Sequence, residues 1–273
     1  MKEKTPRGKF SPPQMLSLNL KISVITPVLN NAGTIRDCIE SVQKQTVAAQ
    51  HIFIDGVSTD GSLKLIKELA ARNSIIISEP DRSEYDAMNK GLAFADGDIV
   101  GILNADDFYA HDKVLEKVLN VFLDPKIAAC YGDLVYIDQL VVQKVKRYWK
   151  SGDYRKERFY SGWMPPHPTF FLRRDLLEKY GYYRLDFSSA ADYEFMLRYL
   201  LKYQVKAEYI PEVLVKMRIG GKSNLSLKQR LIANRFDRKA WDVNGLKPRP
   251  WTLILKPLSK IGQYLFSNKR DCA

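Results

Sequence analysis

Two adjacent carboxylates, Asp106 and Asp107, close the segment Leu103-Asn104-Ala105-Asp106-Asp107 behind a short apolar run. Side by side beyond a buried strand, they repel each other unless a counter-charge is present. A hard divalent cation, Mn²⁺ or Mg²⁺, supplies that charge and keeps open positions for phosphate oxygens. A polar loop ending in an N-cap Asp is the other use such residues have. Earlier in the chain Asp55 ends an apolar run and leads into Gly56-Val57-Ser58-Thr59-Asp60-Gly61-Ser62. Ligands of open α/β sheets bind at the carboxyl ends of the strands, so a carboxylate there can accept hydrogen bonds from a base or a ribose. Asp, Gly and Ser also suit a plain capped turn.

These acids need elements to hold them, and the hydrophobic pattern supplies a strand and helix alternation from Lys21 onward. Residues 22–28, 51–54, 75–77 and 99–103 are apolar, β-branched runs that read as strands. Between them Ile35, Cys38, Ile39 and Val42 recur at helical spacing, as do Leu63, Ile66 and Leu69, and Tyr85, Met88 and Leu92. Val114, Leu115, Val118 and Phe122 mark a fourth helix. Continuous apolar strands alternating with amphipathic helices predict a mostly parallel α/β sheet covered on both faces. After residue 128 the rhythm changes. Residues 128–137 and 141–148 read as a strand pair, 169–172 as a strand and 189–203 as a helix. Residues 226–241 and 251–266 read as basic amphipathic helices, the second interrupted by Pro257.

Composition narrows the classes. The 273 residues are 45% hydrophobic and 27% charged, which fits a globular chain and excludes a collagen-like or disordered one. No apolar run reaches the roughly 18 residues needed to span a bilayer, and residues 1–20 lack a signal-peptide core, so a cytoplasmic protein is expected. Cys38, Cys130 and Cys272 form no CxxC pair, which argues against a disulfide framework or zinc site. Charge is divided unevenly. Residues 1–140 carry 15 Lys and Arg against 19 Asp and Glu, whereas residues 141–273 carry 28 against 12. A basic half suggests a polyanionic partner surface, nucleic acid or anionic lipid.

A series of motifs then points to a family. Thr26-Pro27 with Asn30, the Asp55–Ser62 segment, Ser78-Glu79-Pro80-Asp81, Tyr85-Asp86-Ala87-Met88-Asn89-Lys90-Gly91 and residues 103–107 come in order. They are followed by His167-Pro168-Thr169-Phe170-Phe171, Ala191-Asp192-Tyr193-Glu194 and Arg218-x-Gly220-Gly221-x-Ser223. Over about residues 20–225 the chain resembles the family 2 inverting glycosyltransferases of GT-A fold. Within them it looks most like bacterial members that extend lipid-linked O-antigen or exopolysaccharide units. The resemblance implies that Asp55 binds the uracil or ribose of a UDP-sugar, with Thr26, Pro27 and Asn30 shaping the base pocket. It implies further donor contacts at Asp86, Asn89, Lys90, Asn104 and Asp106, and a metal, Mn²⁺ or Mg²⁺, held by Asp107 with Asp106. Asn104 stands where many relatives have a first Asp, which reduces the carboxylate around that metal. Asp192 matches the general base, although a helix N-terminus also makes it a natural capping residue. His167 falls in the acceptor region, and Arg218 and Lys222 flank a Gly pair suited to a lid over the leaving diphosphate.

The expected organisation is a leader over 1–20 and a transferase domain over 21–225. That domain divides into a nucleotide-sugar half at 21–127 and an acceptor half at 128–225. A basic helical membrane-associating tail is expected over 226–273. With the resemblance, the acceptor becomes an undecaprenyl-pyrophosphate-linked saccharide, and the anionic inner face of the cytoplasmic membrane becomes the partner surface, without nucleic acid. The alternatives are a sugar-phosphate nucleotidyltransferase and a nucleic-acid-binding protein. The first would want a basic Gly-rich loop after the first strand, where the chain has Val28-Leu29-Asn30-Asn31-Ala32-Gly33-Thr34. The second lacks any RRM, KH or helix-turn-helix signature.

Overall fold

A computed structural model describes residues 20–220, 227–258 and 263. Residues 1–19 of the expected leader, and Lys222, lie outside the described residues.

The four apolar runs of the first half pair as expected. β1 (Ile22–Val28), β2 (Ala49–Asp55), β3 (Ile75–Ser78) and β4 (Ile99–Ile102) lie in the order β3-β2-β1-β4, all parallel. The register pairs Val28 with Asp55 and Asp55 with Ser78, which brings the strand ends and their loops to one sheet edge. Helices α1 (Ile35–Gln43), α2 (Ser62–Leu69) and α3 (Glu84–Ala93) make the crossovers. The expected apolar face of α1 is fully delivered: Ile35, Cys38, Ile39 and Val42 are all buried. Gly91 lets α3 lie close on β1, since a Cβ there would sit 2.3 Å from Ile25 Cγ2.

The second half is mixed. It contains β5 (Phe108–Tyr109), α4 (Val114–Phe122), β6 (Ala129–Ile137), β7 (Val145–Trp149), α5 (Lys156–Phe159), β8 (Phe171–Arg173), α6 (Asp175–Tyr180), α7 (Ala191–Met196) and β9 (Ala207–Arg218). β8 runs antiparallel to both β4 and β6, so β6 and its parallel neighbour β9 point the same way as β1–β4. The carboxyl ends of six strands therefore share one edge. β9 is the longest strand in the described residues, and periodicity does not find it. Pro211 and Glu212 interrupt its pattern, and its register against β6 shifts twice near Asp133. The helix expected over 189–203 is present as α7, continued by a π-type turn at Leu197–Lys202. Buried apolar residues form two clusters, one containing Ile25 and Ile54 and the other Val24 and Phe53, as strand alternation requires.

The described part of the segment expected as a tail over 226–273 lies against the second half. α8 (Leu227–Val243) and α9 (Thr252–Leu258) pack on the second half through an anchored contact set. Trp241 is fully buried and its indole donates to the Tyr193 hydroxyl at 2.9 Å. Asn244 donates to Glu194 at 3.1 Å, Thr252 to the Tyr160 carbonyl at 2.7 Å, and Lys256 to Asp237 at 2.7 Å. Basic residues dominate the composition of this segment, but a few apolar and polar side chains decide where it sits. Of the helix expected over 251–266, the described part is Thr252–Leu258, with Gln263 also helical.

Candidate active site

The loops after β1 and β2 are stitched to each other by short polar side chains. Asn30 adopts a left-handed backbone, φ 56°, and its side-chain oxygen accepts from the Thr59 N–H at 2.9 Å. Its own N–H donates to Ser58 Oγ at 2.9 Å, and the Ala32 N–H donates to Asp60 at 2.8 Å. Asp55 is fully buried; it accepts from the Ser78 hydroxyl at 2.6 Å and from the Ser58 N–H at 3.2 Å. Its carboxylate thus ties the ends of β2 and β3 to the following turn. Thr26 is also fully buried and engages His51 Nε2 at 2.9 Å, so its side chain has no open face. Pro27 is half-buried beside it. Val57, a β-branched residue held at φ 63°, and Leu29 are exposed on this edge.

α3 carries the next group. Ser83 caps it, accepting from the Asp86 N–H. Asp86 takes Arg82 at 2.8 Å, and this pairing holds its carboxyl below the usual range. Lys90 pairs with Asp81 at 2.7 Å and Glu79 at 2.9 Å, contacts that raise its pKa. Asn89 brackets the Tyr183 backbone, donating to its carbonyl at 2.8 Å and accepting its N–H at 2.9 Å. Asn89 therefore joins the two halves of the domain rather than opening towards solvent.

Beyond β4 the acidic pair has unequal partners. Asp107 is fully buried; Asn104 donates to its Oδ2 at 2.9 Å, while its Oδ1 is buried with no hydrogen-bond partner. Asp106 is half-buried beside it. Burial pushes both carboxyls up, Asp107 well up, and the Asp106 charge adds to the effect on Asp107. Arg218, expected in a mobile lid, is instead buried at the end of β9. It donates to the Asp106 carbonyl at 2.7 Å, pairs with Asp37 and lies over the Phe108 ring. The structure makes it a brace for the acidic loop.

The second half adds a third group. A 3₁₀ turn at Leu185–Ala190, strained at Ser188 with φ 46° and ψ −130°, leads directly into α7 and Asp192. Asp192 is half-buried, with one oxygen on the Tyr193 N–H at 2.7 Å. Its charge reaches Tyr85, Tyr183 and His167. His167 Nε2 lies 2.7 Å from the Tyr183 hydroxyl, and Tyr183 stacks on Phe195 at 4.3 Å. Burial lowers the His167 pKa, which favours the neutral imidazole near neutral pH.

Sequence reading passed over Glu84, which lies within electrostatic reach of Asp106 on one side and of His167 and Tyr85 on the other. An acid in the first turn of a capped helix looks like ordinary dipole compensation. Only the fold reveals that the Glu84 charge acts on both groups. Tyr183 went unnoticed for a similar reason, as one aromatic among many.

Comparison with known proteins gives this edge a context. The glycosyl transferase family 2 model matches residues 23–181. An uncharacterized glycosyltransferase of Mycobacterium tuberculosis is 33% identical over 181 residues, covering 65% of this chain and 68% of the relative. A PGL/p-HBAD biosynthesis glycosyltransferase of the same species is 29% identical over 207 residues, 74% of this chain and 78% of the relative. Among solved structures, the mannosyltransferase PcManGT from Pyrobaculum calidifontis, in complex with GDP-Man and Mn²⁺, superposes with a TM-score of 0.60 at 18% identity. That match covers 88% of this chain and 69% of the mannosyltransferase. S. aureus TarS in complex with UDP-GlcNAc gives 0.56 at 15% identity, covering 91% and 81%. The GT-A-like α/β fold expected from the motifs is confirmed. The chain belongs to glycosyl transferase family 2, enzymes that transfer a sugar from a nucleotide-sugar donor.

Proposed function

We propose that the protein moves a hexose or N-acetylhexosamine, with inversion, from a UDP-sugar to a lipid-pyrophosphate-linked saccharide at the cytoplasmic face of a bacterial membrane. One observation carries the reading: the Asp192 charge acts on His167, Tyr183 and Tyr85, and the Glu84 charge acts both on His167 and Tyr85 and on Asp106, which ties the two groups together electrostatically. An inverting displacement needs a carboxylate that removes the acceptor hydroxyl proton while the diphosphate leaves on the opposite side. Asp192 takes that role. The neutral His167 and the Tyr183 hydroxyl are placed to orient the acceptor hydroxyl. The complex of TarS with UDP-GlcNAc supports a UDP donor.

The acidic pair fits a hard divalent cation. Two adjacent carboxylates, both pushed up by burial and one with an unpartnered oxygen, keep negative charge that the nearby Arg218 offsets only in part. Asp106 and Asp107 would hold Mn²⁺ or Mg²⁺, and Mn²⁺ accompanies GDP-Man in the mannosyltransferase above. When bound, such an ion neutralises charge developing on the departing diphosphate. Among the described residues no three His, Cys, Asp or Glu side chains form a cage, so phosphate and water would complete the shell.

A screen of UDP-sugars against a synthetic lipid-pyrophosphate saccharide, with and without EDTA, tests the proposal. Transfer with inverted stereochemistry that EDTA abolishes is expected. Transfer from GDP-sugars alone, or full activity in chelator, overturns the donor or the metal assignment respectively.

A further inference from the structure

The hairpin between β6 and β7 ends in an apolar tip where water-exposed turns use Gly, Asn, Asp or Ser. Its residues are Asp138-Gln139-Leu140-Val141-Val142-Gln143-Lys144. Leu140 is 89% exposed and Val141 51% exposed. Ile219, at the end of neighbouring β9, is 37% exposed and donates its N–H to the Ile137 carbonyl at 3.0 Å. Single exposed apolar residues are ordinary, whereas a contiguous group at a projecting tip marks a contact surface.

The tip is built rather than frayed. Asp138 accepts from the N–H groups of Leu140 and Val141 at 3.1 and 3.3 Å. Asp138 and Lys144 close the turn, the Asp138 N–H reaching the Lys144 carbonyl at 2.9 Å, and Lys144 N–H reaches the Val141 carbonyl at 2.9 Å. Two backbone amides beside the apolar side chains thus carry their own partners, which lowers the cost of leaving water. Behind the tip stand Lys144 and Lys150, both exposed, Lys146, which pairs with Asp138 at 3.1 Å, and Arg147, which lies over the Tyr136 ring. Arg147 also meets Gln263 at 2.7 Å, so a residue from the basic C-terminal segment lies beside β7. An apolar point flanked by exposed lysines is complementary to an anionic bilayer surface.

Direction fits as well. β6 runs parallel to β9 and points with β1–β4, so the hairpin leaves the sheet at the edge bearing the acidic loop. Ile137, at the hairpin base, pairs in register with Arg218, and Arg218 holds the Asp106 carbonyl. We infer that the β6–β7 hairpin is a membrane-docking element: Leu140 and Val141 enter the interfacial region of an anionic bilayer, and the lysines behind them meet lipid phosphates. The active edge then opens at the bilayer surface. The inference shares the membrane location of the proposed function but is tested without donor or acceptor, so either can fail alone.

The experiment is sedimentation of the full chain with phosphatidylcholine vesicles, with and without phosphatidylglycerol. Wild-type protein is expected to bind the anionic vesicles. L140S/V141S should weaken that binding about tenfold or more while melting like wild type, because two apolar side chains no longer leave water. L140F/V141F should tighten it, a gain that damage to the fold does not produce. Unchanged binding by both variants would place docking elsewhere and overturn the inference, as would wild-type protein that ignores anionic vesicles. A double Ser variant that loses self-association in light scattering, with vesicle binding unaltered, would assign the tip to a second copy of the chain and equally overturn it.

Discussion

Asp192 gains its case from its neighbours, because a lone Asp at a helix start is a cap by default. Here the preceding turn is strained at Ser188 and the carboxylate charge acts on His167, Tyr183 and Tyr85. Asp192→Asn preserves size and the contact with the Tyr193 N–H but removes the proton acceptor. Turnover is expected to fall by about 10²- to 10⁴-fold, with UDP-sugar affinity nearly unchanged in calorimetry. Near-normal turnover would return Asp192 to a capping role. The acidic pair gives a prediction of opposite sign for stability. A carboxyl whose folded pKa is raised contributes stability below its unfolded pKa, about 4, and loses it as pH rises through the folded value. Asp106 and Asp107 are both raised, so at neutral pH their ionised forms oppose folding. Asp106→Asn should therefore melt higher than wild type at pH 7 and about the same near pH 4, while losing transfer. Mn²⁺ should raise the wild-type melting temperature and leave that of Asp106→Asn unmoved. A variant that melts no higher at pH 7 would show that the pair carries no such repulsion.

At the level of elements, the parallel half was legible because its signals are local. Each strand is a continuous apolar run, and each crossover helix buries the spacing the sequence displays, as Ile35, Cys38, Ile39 and Val42 do. Asp55 and Asp107 were placed correctly at strand ends, but their burial was not readable, since turn hydrogen bonds from Ser58, Ser78 and Asn104 decide it. β9 was missed because Pro211 breaks its pattern and its pairing is with β6, some eighty residues earlier. The packing of α8 was hidden for a different reason: its many charges obscure the few side chains that anchor it, Trp241 foremost. Trp241 is fully buried, rings with Tyr160 at 5.0 Å and bonds to Tyr193, next to Asp192. Trp241→Ala should cost about 3–5 kcal/mol, the usual range for emptying a buried aromatic site, read as a shift of the denaturant midpoint. Deleting residues after 225 should destabilise the domain at least as much. A truncated chain that unfolds at the wild-type midpoint would restore the independent tail.

Across the whole molecule, charge and architecture divide the work. The acidic half supplies the strand-end loops, where Asp55, Asp60, Asp81, Asp86, Asp106 and Asp107 gather, an edge that would repel a diphosphate without a cation. The basic half carries 28 Lys and Arg against 12 acids, with 14 against 3 after residue 214. Some of these cations are spent on structure, since Arg198 pairs with buried Glu194, Lys239 with Asp186 and Lys256 with Asp237. Others, such as Lys144 and Lys150, are exposed on the hairpin side. In the proposed role these exposed cations would attract an anionic membrane surface, and among the described residues no helix is long and apolar enough to cross a membrane. Surface attraction of this kind is screened within a Debye length of about 8 Å at physiological ionic strength. Transfer to an acceptor embedded in anionic vesicles should therefore slow as salt rises, through weaker capture of the enzyme by the vesicle. Transfer to a short soluble acceptor should change much less, because a short-range pair such as Lys90 with Asp81 at 2.7 Å is screened far less than charges acting across solvent. Initial rates on both acceptors over one salt series separate the two effects. Parallel decline would mean that the basic half acts on the donor diphosphate rather than on the membrane, and the division of charge would then belong to the chemistry of the site.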